Sequence, residues 1–177
     1  MAALKTLVGS KFRLIPFKEE HISERYIGWL NNPEVNQFLD VRFVRQTHET
    51  VLAYVRSFYG ETEKYMWGIY PNNNSDLIGT ATLYDIDRHH SRGHIGLMVG
   101  NKKYWGKGAA TEAIELIAQF AFETLGFHRL TAGTYAPNHG MNFTLKRLGF
   151  TLEGTARQSL LVKSGTYVDG YLWGILA

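Results

Sequence analysis

Residues 99–113 combine the features of an anion-binding turn. They read Val-Gly-Asn-Lys-Lys-Tyr-Trp-Gly-Lys-Gly-Ala-Ala-Thr-Glu-Ala, so an apolar run gives way to a basic turn and then to small and apolar residues at helical spacing. Gly106 and Gly108 let the backbone turn tightly and let a ligand approach without meeting a Cβ. The first amides of a helix lack internal partners and, with the helix dipole, attract anions. Lys103 and Lys107 add positive charge, and the segment therefore predicts a phosphate site.

Two common phosphate motifs do not fit this turn. A dinucleotide fingerprint requires a third glycine where Thr111 stands. A P-loop begins with glycine and ends in Gly-Lys-Ser/Thr, whereas Asn101 occupies the first position and Gly108 follows Lys107. Taken alone, the glycines are also consistent with a simple tight turn from a strand into a helix.

The elements around the turn predict a mixed sheet. Alternation and turn residues predict strands at 11–16, 65–70, 77–85, 93–99, 129–135, 150–162 and 167–176. Helical periodicity, with Thr47 as a cap and Gly126 as a terminator, predicts helices at 21–30, 48–58, 108–125 and 138–148. An antiparallel meander followed by a strand–helix–strand unit indicates one α/β (α+β) domain over residues 1–177, with a mostly antiparallel sheet of about seven strands flanked by helices.

The amino-acid composition excludes several classes of site and binding partner. The 177 residues include no cysteine, which excludes disulfide scaffolds, cysteine-based zinc sites and a catalytic thiol. His90 and His94 are four apart, but the predicted strand argues against a helical zinc pair, so we expect no metal. The net charge of +3 suits an anionic ligand and is spread too evenly for a nucleic-acid-binding face. We see no secretory signal and no membrane span, and we expect a cytoplasmic protein.

Several motifs resemble one enzyme family. Lys-x-x-Gly-x-Gly-Ala at 103–109 resembles the pyrophosphate-binding motif of GNAT N-acetyltransferases, which usually have Gln or Arg in place of Lys103. Residues 105–113 are similar to the RimJ/RimL-like branch, which acetylates protein N-termini and small amines. Residues 138–150 resemble that branch's second signature, an Asn-x-x-Ser helix that closes with Gly-Phe, and residues 26–35 also resemble it. The resemblance spans roughly the whole chain.

The resemblance implies a centrally splayed sheet and acetyl-CoA as co-substrate. The diphosphate would lie on amides of the glycine turn, the pantetheine would pair with the strand before it, and Asn138 would hold a pantetheine amide. The expected contacts are Leu97, Met98, Val99, Lys103, Trp105, Gly106, Lys107, Gly108, Ala109, Ala110 and Asn138.

Amine acetylation needs a neutral amine, donors for the developing oxyanion, and stabilisation of the departing thiolate. The resemblance implies that an amide near Leu97 or Met98, at a strand bulge, is the oxyanion donor, and we assign it to Met98. It implies that His94 is the base, because related sequences often carry Glu there and histidine titrates near neutral pH. The alternative for His94 is a solvent-facing strand histidine.

The proton donor departs from the family pattern. Met141 stands where the family has serine, and it has no proton to give. Tyr135 and Asn142 are nearby alternatives, and Tyr135 is the better donor, with an ordinary pKa of about 10. Tyr135 is equally interpretable as a packed strand residue. The reaction also works without a side-chain donor, because a thiolate leaves with a pKa of about 8 to 9.

The acceptor is expected to be the primary amine of a small molecule, attacking directly in a ternary complex. Resemblance to members of the branch that acetylate nucleotide-linked amino sugars favours an amino sugar, free or nucleotide-linked. The predicted contacts are Trp29, Phe38, Arg42, Tyr84, Asp85 and Tyr167. One alternative acceptor is the N-terminus of a protein such as a ribosomal one, and an alternative of another class is a non-catalytic acyl-CoA sensor. A homodimer is a further expectation.

Overall fold

The computed structural model describes residues 4–60 and 64–177. Within these residues, eight strands form one sheet in the order β1-β2-β3-β4-β5-β6-β8-β7. In chain order these are β1 (Leu7–Val8), β2 (Phe12–Pro16), β3 (Tyr65–Pro71), β4 (Gly79–Asp87), β5 (Arg92–Val99), β6 (Arg129–Tyr135), β7 (Thr151–Leu161) and β8 (Tyr167–Leu176). The mixed sheet is as predicted, with one more strand because β1 is too short to show a period.

The centre of the sheet is splayed. Neighbouring strands are antiparallel except β5 and β6, which run parallel. Their pairing is confined to Arg92–His94 against Arg129–Thr131, although β5 continues to Val99 and β6 to Tyr135. The strands therefore separate beyond His94 and leave a wedge-shaped gap.

Four α-helices in the described part of the chain cover the sheet. They are α1 (Glu24–Asn31), α2 (His48–Arg56), α3 (Ala109–Gln119) and α4 (His139–Arg147), and α3 continues as a π-helical segment, Phe120–Thr124. Short 3-10 turns lie at Glu19–His21, Asp40–Phe43 and Lys102–Tyr104. The first helix begins later than predicted, because the side chain of Ser23 accepts from the Tyr26 N–H and caps it there. Thr47 caps α2 as predicted.

Both faces of the sheet are buried at β3. Trp67 and Ile69 of β3 belong to the cluster that includes Ile114 of α3, whereas Met66 of the same strand packs with Val51 of α2 on the other face. This explains why β3 is apolar throughout, as is typical of strands covered on both sides. Trp67 is fully buried, and its truncation to alanine is expected to cost about 3–5 kcal/mol.

The described parts of the chain contain neither a membrane-spanning helix nor a metal-binding cluster. Within residues 4–60 and 64–177, no helix is long and apolar enough to cross a bilayer. The same residues contain no group of three or more His, Asp or Glu side chains placed to hold a metal ion.

Candidate active site

The glycine turn leads directly into α3. Gly106 and Gly108 have φ values of +70° and +87°, and a Cβ at either position would meet no atom within 4 Å. The first bond of the helix runs from the Glu112 N–H to the Gly108 carbonyl at 3.0 Å. The amides immediately before Glu112 therefore lack partners within the helix and remain available to an anion. The Lys107 N–H differs, because it donates to the Tyr104 carbonyl at 3.3 Å.

Trp105 ties this turn to the end of β5. Its indole Nε1 donates to the Val99 carbonyl at 2.7 Å, while 43% of the residue stays exposed. The Lys103 N–H is engaged by the Asn101 side chain at 3.1 Å. These two contacts fix the loop between the strand and the helix, so the turn is formed by the chain itself.

A cavity of about 1090 Å³ lies over the turn, between the end of β5 and α4. Its lining includes every predicted co-substrate contact except Lys103, together with two basic residues that sequence reasoning missed, Lys11 and Arg147. Arg147 also donates to the Thr111 hydroxyl at 2.9 Å. Free helix amides, glycines without obstruction and three cationic side chains fit a diphosphate-bearing group such as coenzyme A.

Two smaller cavities adjoin this one. The gap cavity, about 460 Å³, lies between β5 and β6 and is lined by His94, Tyr135 and Asn138 among others. The acceptor-side cavity, about 490 Å³, lies under α1 and α2. Leu39 and Leu97 line all three cavities. These two leucines therefore form a border common to the three cavities.

His94 bridges the two diverging strands. Its Nδ1 lies 3.0 Å from the Thr131 hydroxyl, and its Nε2 accepts from the Gly133 N–H at 3.2 Å. Burial lowers the pKa of His94, with a smaller opposing effect from Asp85. Both ring nitrogens thus have protein partners, and the neutral form is favoured.

Tyr135 donates its phenolic hydrogen to Asp40 at 2.9 Å. Burial raises the pKa of Tyr135 to about 12, and the hydrogen bond and charge of Asp40 act in the same direction. The guanidinium of Arg42 lies over the same ring, 5.3 Å from its centroid. The hydroxyl is therefore held in its neutral form and directed at a carboxylate.

The start of α4 accounts for the remaining predicted polar groups. Asn138 caps the helix by accepting from the Met141 N–H at 3.3 Å, and both residues line the cavity over the turn and the gap cavity. Asn142 donates to the carbonyls of Tyr135 and Ala136 at 3.2 and 3.0 Å. The amide group of Asn142 is thus occupied in fixing the turn between β6 and α4.

The predicted acceptor contacts divide into two groups. Phe38 and Tyr84 line these cavities, whereas Trp29, Arg42, Asp85 and Tyr167 do not line any of the three. Trp29 packs so closely on Gly100 that a Cβ there would lie 2.2 Å from the indole. Arg42 donates to the carbonyls of Gln37 and Leu161. Tyr167 is 60% exposed at the start of β8.

The bulge that was expected in β5 at Met98 is not present. The pairing of β4 with β5 is continuous from Gly79–Val99 to Tyr84–His94, so β5 has no bulge at Met98. The irregularity lies instead between Tyr84 and Asp87 of β4. Met98 remains at the cavity wall over the turn, and also lines the acceptor-side cavity.

Several known proteins are similar to this chain. The N-acetyltransferase YoaA of Bacillus subtilis (strain 168) is 27% identical over 157 residues, 87% of each chain. The [ribosomal protein uS5]-alanine N-acetyltransferase of Escherichia coli (strain K12) is 27% identical over 112 residues, 63% of this chain and 57% of that one. The structure of RimL, a ribosomal L7/L12 α-N-protein acetyltransferase in complex with coenzyme A, superposes with a TM-score of 0.82 at 18% identity and covers 97% of both chains.

The family model for the acetyltransferase (GNAT) domain matches residues 11–151, which include the glycine turn, the splayed strands and α4. The matched region thus contains most of the residues that line the three cavities. The chain belongs to the GNAT acetyltransferase family and is an acetyl-CoA-dependent N-acetyltransferase.

Proposed function

We propose that this N-acetyltransferase acetylates the primary amine of a small molecule, with an amino sugar as the favoured acceptor class. The observation that carries the proposal is the meeting of three cavities at Leu39 and Leu97. A cavity of about 1090 Å³ over the phosphate-binding turn is large enough for a nucleotide-bearing co-substrate. The acceptor-side cavity of about 490 Å³ suits a compact molecule better than an extended chain.

The reaction is a direct transfer with both substrates bound. The N–C bond to the acetyl group forms as the C–S bond to coenzyme A breaks. The acceptor ammonium loses two protons in total, one of which ends on the sulfur and the other in solvent. The chain's part is to hold the two reactants at the Leu39–Leu97 junction, where orientation alone contributes a large share of the rate. The Met98 amide is the proposed donor to the carbonyl oxygen.

The two side chains predicted for proton transfer receive revised roles in this proposal. His94 holds the two strands apart at a fixed distance, because both of its nitrogens already have partners. Tyr135 orients Asp40, because its proton is directed at that carboxylate and its pKa is about 12. Neither group then needs to exchange a proton during turnover, and the thiolate leaves without a side-chain acid, as its low pKa allows.

A second acceptor class is the N-terminus of a protein. The observation that favours it is the similarity to the Escherichia coli enzyme that acetylates an alanine of ribosomal protein uS5. A peptide acceptor would have to leave the acceptor-side cavity along the exposed side chains of Phe43, Val44 and Tyr54, which lie on the elements that bound it.

Thiol release tests the proposal directly. The purified protein is incubated with acetyl-CoA and a panel comprising free amino sugars, phosphorylated and nucleotide-linked amino sugars, polyamines and short peptides with free N-termini. We expect thiol release above the protein-free blank with a small amine, and higher kcat/KM for it than for any peptide. Release only with peptides would favour the second class, and acetyl-CoA binding without release from any member of the panel would indicate a non-catalytic sensor.

A further inference from the structure

We propose that Asp40 binds the ammonium group of the acceptor, and that the acceptor is therefore a cationic amine without a phosphate group. This inference rests on the proposed function and specifies its acceptor site. Asp40 was not singled out in the sequence, and it reaches the site only through the folding of the segment between α1 and α2.

The position of Asp40 is the first reason. It begins the 3-10 turn Asp40–Phe43 and lines both the gap cavity and the acceptor-side cavity. Its Oδ1 accepts from the Tyr135 hydroxyl at 2.9 Å. Within residues 4–60 and 64–177, its Oδ2 has no hydrogen-bond or ion-pair partner. One carboxylate oxygen is thus fixed by the protein, and the other is available to a ligand.

The surrounding wall favours a cation. Asp40 is the only charged side chain among the described residues that line the acceptor-side cavity. The other polar groups include the hydroxyls of Tyr26, Tyr54, Tyr84, Thr80 and Thr82. Tyrosine rings attract an ammonium group through their faces, and their hydroxyls can bond to hydroxyl groups of a sugar-like acceptor. Tyr84 is close enough to Asp40 for that charge to contribute to raising its pKa.

The same wall is unsuited to a phosphate. Phosphate recognition in proteins relies on arginine, lysine or free helix amides, and the acceptor-side cavity has none of these among its described lining residues. Arg42, the cation nearest in sequence, donates to the carbonyls of Gln37 and Leu161 and stacks 4.6 Å from the centroid of Phe43. A phosphate near Asp40 would meet a like charge. A nucleotide-linked amino sugar is therefore disfavoured, and a free amino sugar or another simple amine is favoured.

The location of Asp40 also explains how the amine would reach the thioester. Asp40 follows Leu39, one of the two residues shared by all three cavities. An ammonium group on the free carboxylate oxygen would lie beside the junction where the acetyl group is expected. The Tyr135 bond prevents the carboxylate from turning away from that junction.

The test compares Asp40→Asn with Glu49→Gln. The Asp40→Asn variant keeps a carbonyl oxygen for Tyr135 but lacks the charge, whereas Glu49→Gln removes one negative charge from the exposed first turn of α2, outside the cavity lining. Binding of glucosamine, glucosamine 1-phosphate and a nucleoside-diphosphate-linked glucosamine to the coenzyme A complex is measured by calorimetry. Thiol release is measured in parallel with the same three compounds and with spermidine.

We expect the unphosphorylated amines to bind and turn over best. Asp40→Asn should weaken their binding and raise their KM roughly tenfold or more, as for loss of a charge-assisted hydrogen bond, and leave acetyl-CoA binding unchanged. Glu49→Gln should behave as the unchanged protein. Preference for a phosphorylated compound, equal KM for Asp40→Asn, or no binding of any unphosphorylated amine would overturn the inference. Amine binding that depends on Asp40 without thiol release would instead refute the proposed function and leave the site standing.

Discussion

The ring Nε2 of His94 accepts the backbone N–H of Gly133 at 3.2 Å, at the point where β5 and β6 separate. Regular pairing stops at His94 and Thr131, so the Gly133 amide faces a gap rather than a strand. The imidazole lies in that space and supplies an acceptor for the amide. Since the amide can only donate, Nε2 is the unprotonated nitrogen and the hydrogen resides on Nδ1, next to the Thr131 hydroxyl.

This relationship predicts that His94 holds the gap open and does not act as the base. His94→Gln can keep an acceptor for the Gly133 amide, whereas His94→Leu cannot. We expect Gln to retain kcat within several-fold and Leu to lose more, and the pH–rate profile of the Gln variant to match the unchanged protein. A base role would instead lower kcat by about a hundredfold or more in both variants and remove a limb of the profile.

The lowered pKa of His94 predicts that the free energy of unfolding decreases as the solution becomes acidic. Because burial favours the neutral form, the folded protein binds fewer protons than the unfolded chain around the ordinary histidine pKa. This contribution to the free energy of unfolding is complete above about pH 6.5 and is lost as the pH falls below it. Denaturant titrations of the unchanged protein and of His94→Gln between pH 7 and 5 check this, and parallel pH dependences would contradict it.

Three tyrosines with raised pKa values should make the folded protein less stable at high pH. The pKa values of Tyr26, Tyr84 and Tyr135 are raised to about 12, chiefly by burial. In the unfolded chain these hydroxyls ionise near pH 10, which is below the pH at which they ionise in the folded protein. Their contribution to the free energy of unfolding is therefore complete below about pH 10 and is lost as the pH rises toward about 12. Ultraviolet titration of the folded protein should show late-ionising tyrosines, one fewer in Tyr135→Phe. Ionisation of all tyrosines near pH 10 while the protein is folded would be inconsistent with these environments.

The glycine turn predicts a selective effect of Gly108→Ala. The new methyl group would project into open space at the glycine turn, and φ of +87° adds strain of about 1–2 kcal/mol. Gly126→Ala is the matched control, because Gly126 has φ of +68°, has no atom within 4 Å of a Cβ, and lies after α3 outside the cavity over the turn. Both variants should lose similar melting temperature, but only Gly108→Ala should raise the KM for acetyl-CoA, by roughly tenfold. Equal KM values in the two variants would place the phosphates elsewhere.

Substitutions at Asn138 should affect the stability of α4 and the binding of acetyl-CoA separately. Serine caps helices about as well as asparagine, so Asn138→Ser should keep the stability of α4, whereas Asn138→Ala should cost about 1 kcal/mol. If the Asn138 amide also contacts the pantetheine, both variants should raise the KM for acetyl-CoA by similar factors. Chemical denaturation and steady-state kinetics check the two effects. A normal KM for Asn138→Ser would restrict Asn138 to its capping role.

The sequence predicts local features of this site well and distant ones poorly. The glycine turn and α3 are contiguous, so their residue types and order indicate an anion site without knowledge of the fold. Asp40 and Tyr135 are 95 positions apart and meet only because the 3-10 turn packs against β6. Lys11 likewise reaches the turn from the connection between β1 and β2.

Aromatic residues also show that the sequence alone does not distinguish core positions from positions in a cleft. Tyr84 and Trp29 both looked suited to a cleft wall, but packing separates them. Trp29 covers Gly100, and only Tyr84 faces the cavities. A single aromatic side chain has no sequence signal that distinguishes a core position from a binding surface, because both require an apolar face.

A crystal structure of the protein soaked with acetyl-CoA would show directly whether the glycine turn holds the co-substrate. We expect diphosphate oxygens within hydrogen-bonding distance of the amides around Gly108 and Ala110, and the acetyl group at Leu39 and Leu97. An empty turn with the co-substrate bound elsewhere, or an acetyl group remote from the two leucines, would contradict this expectation.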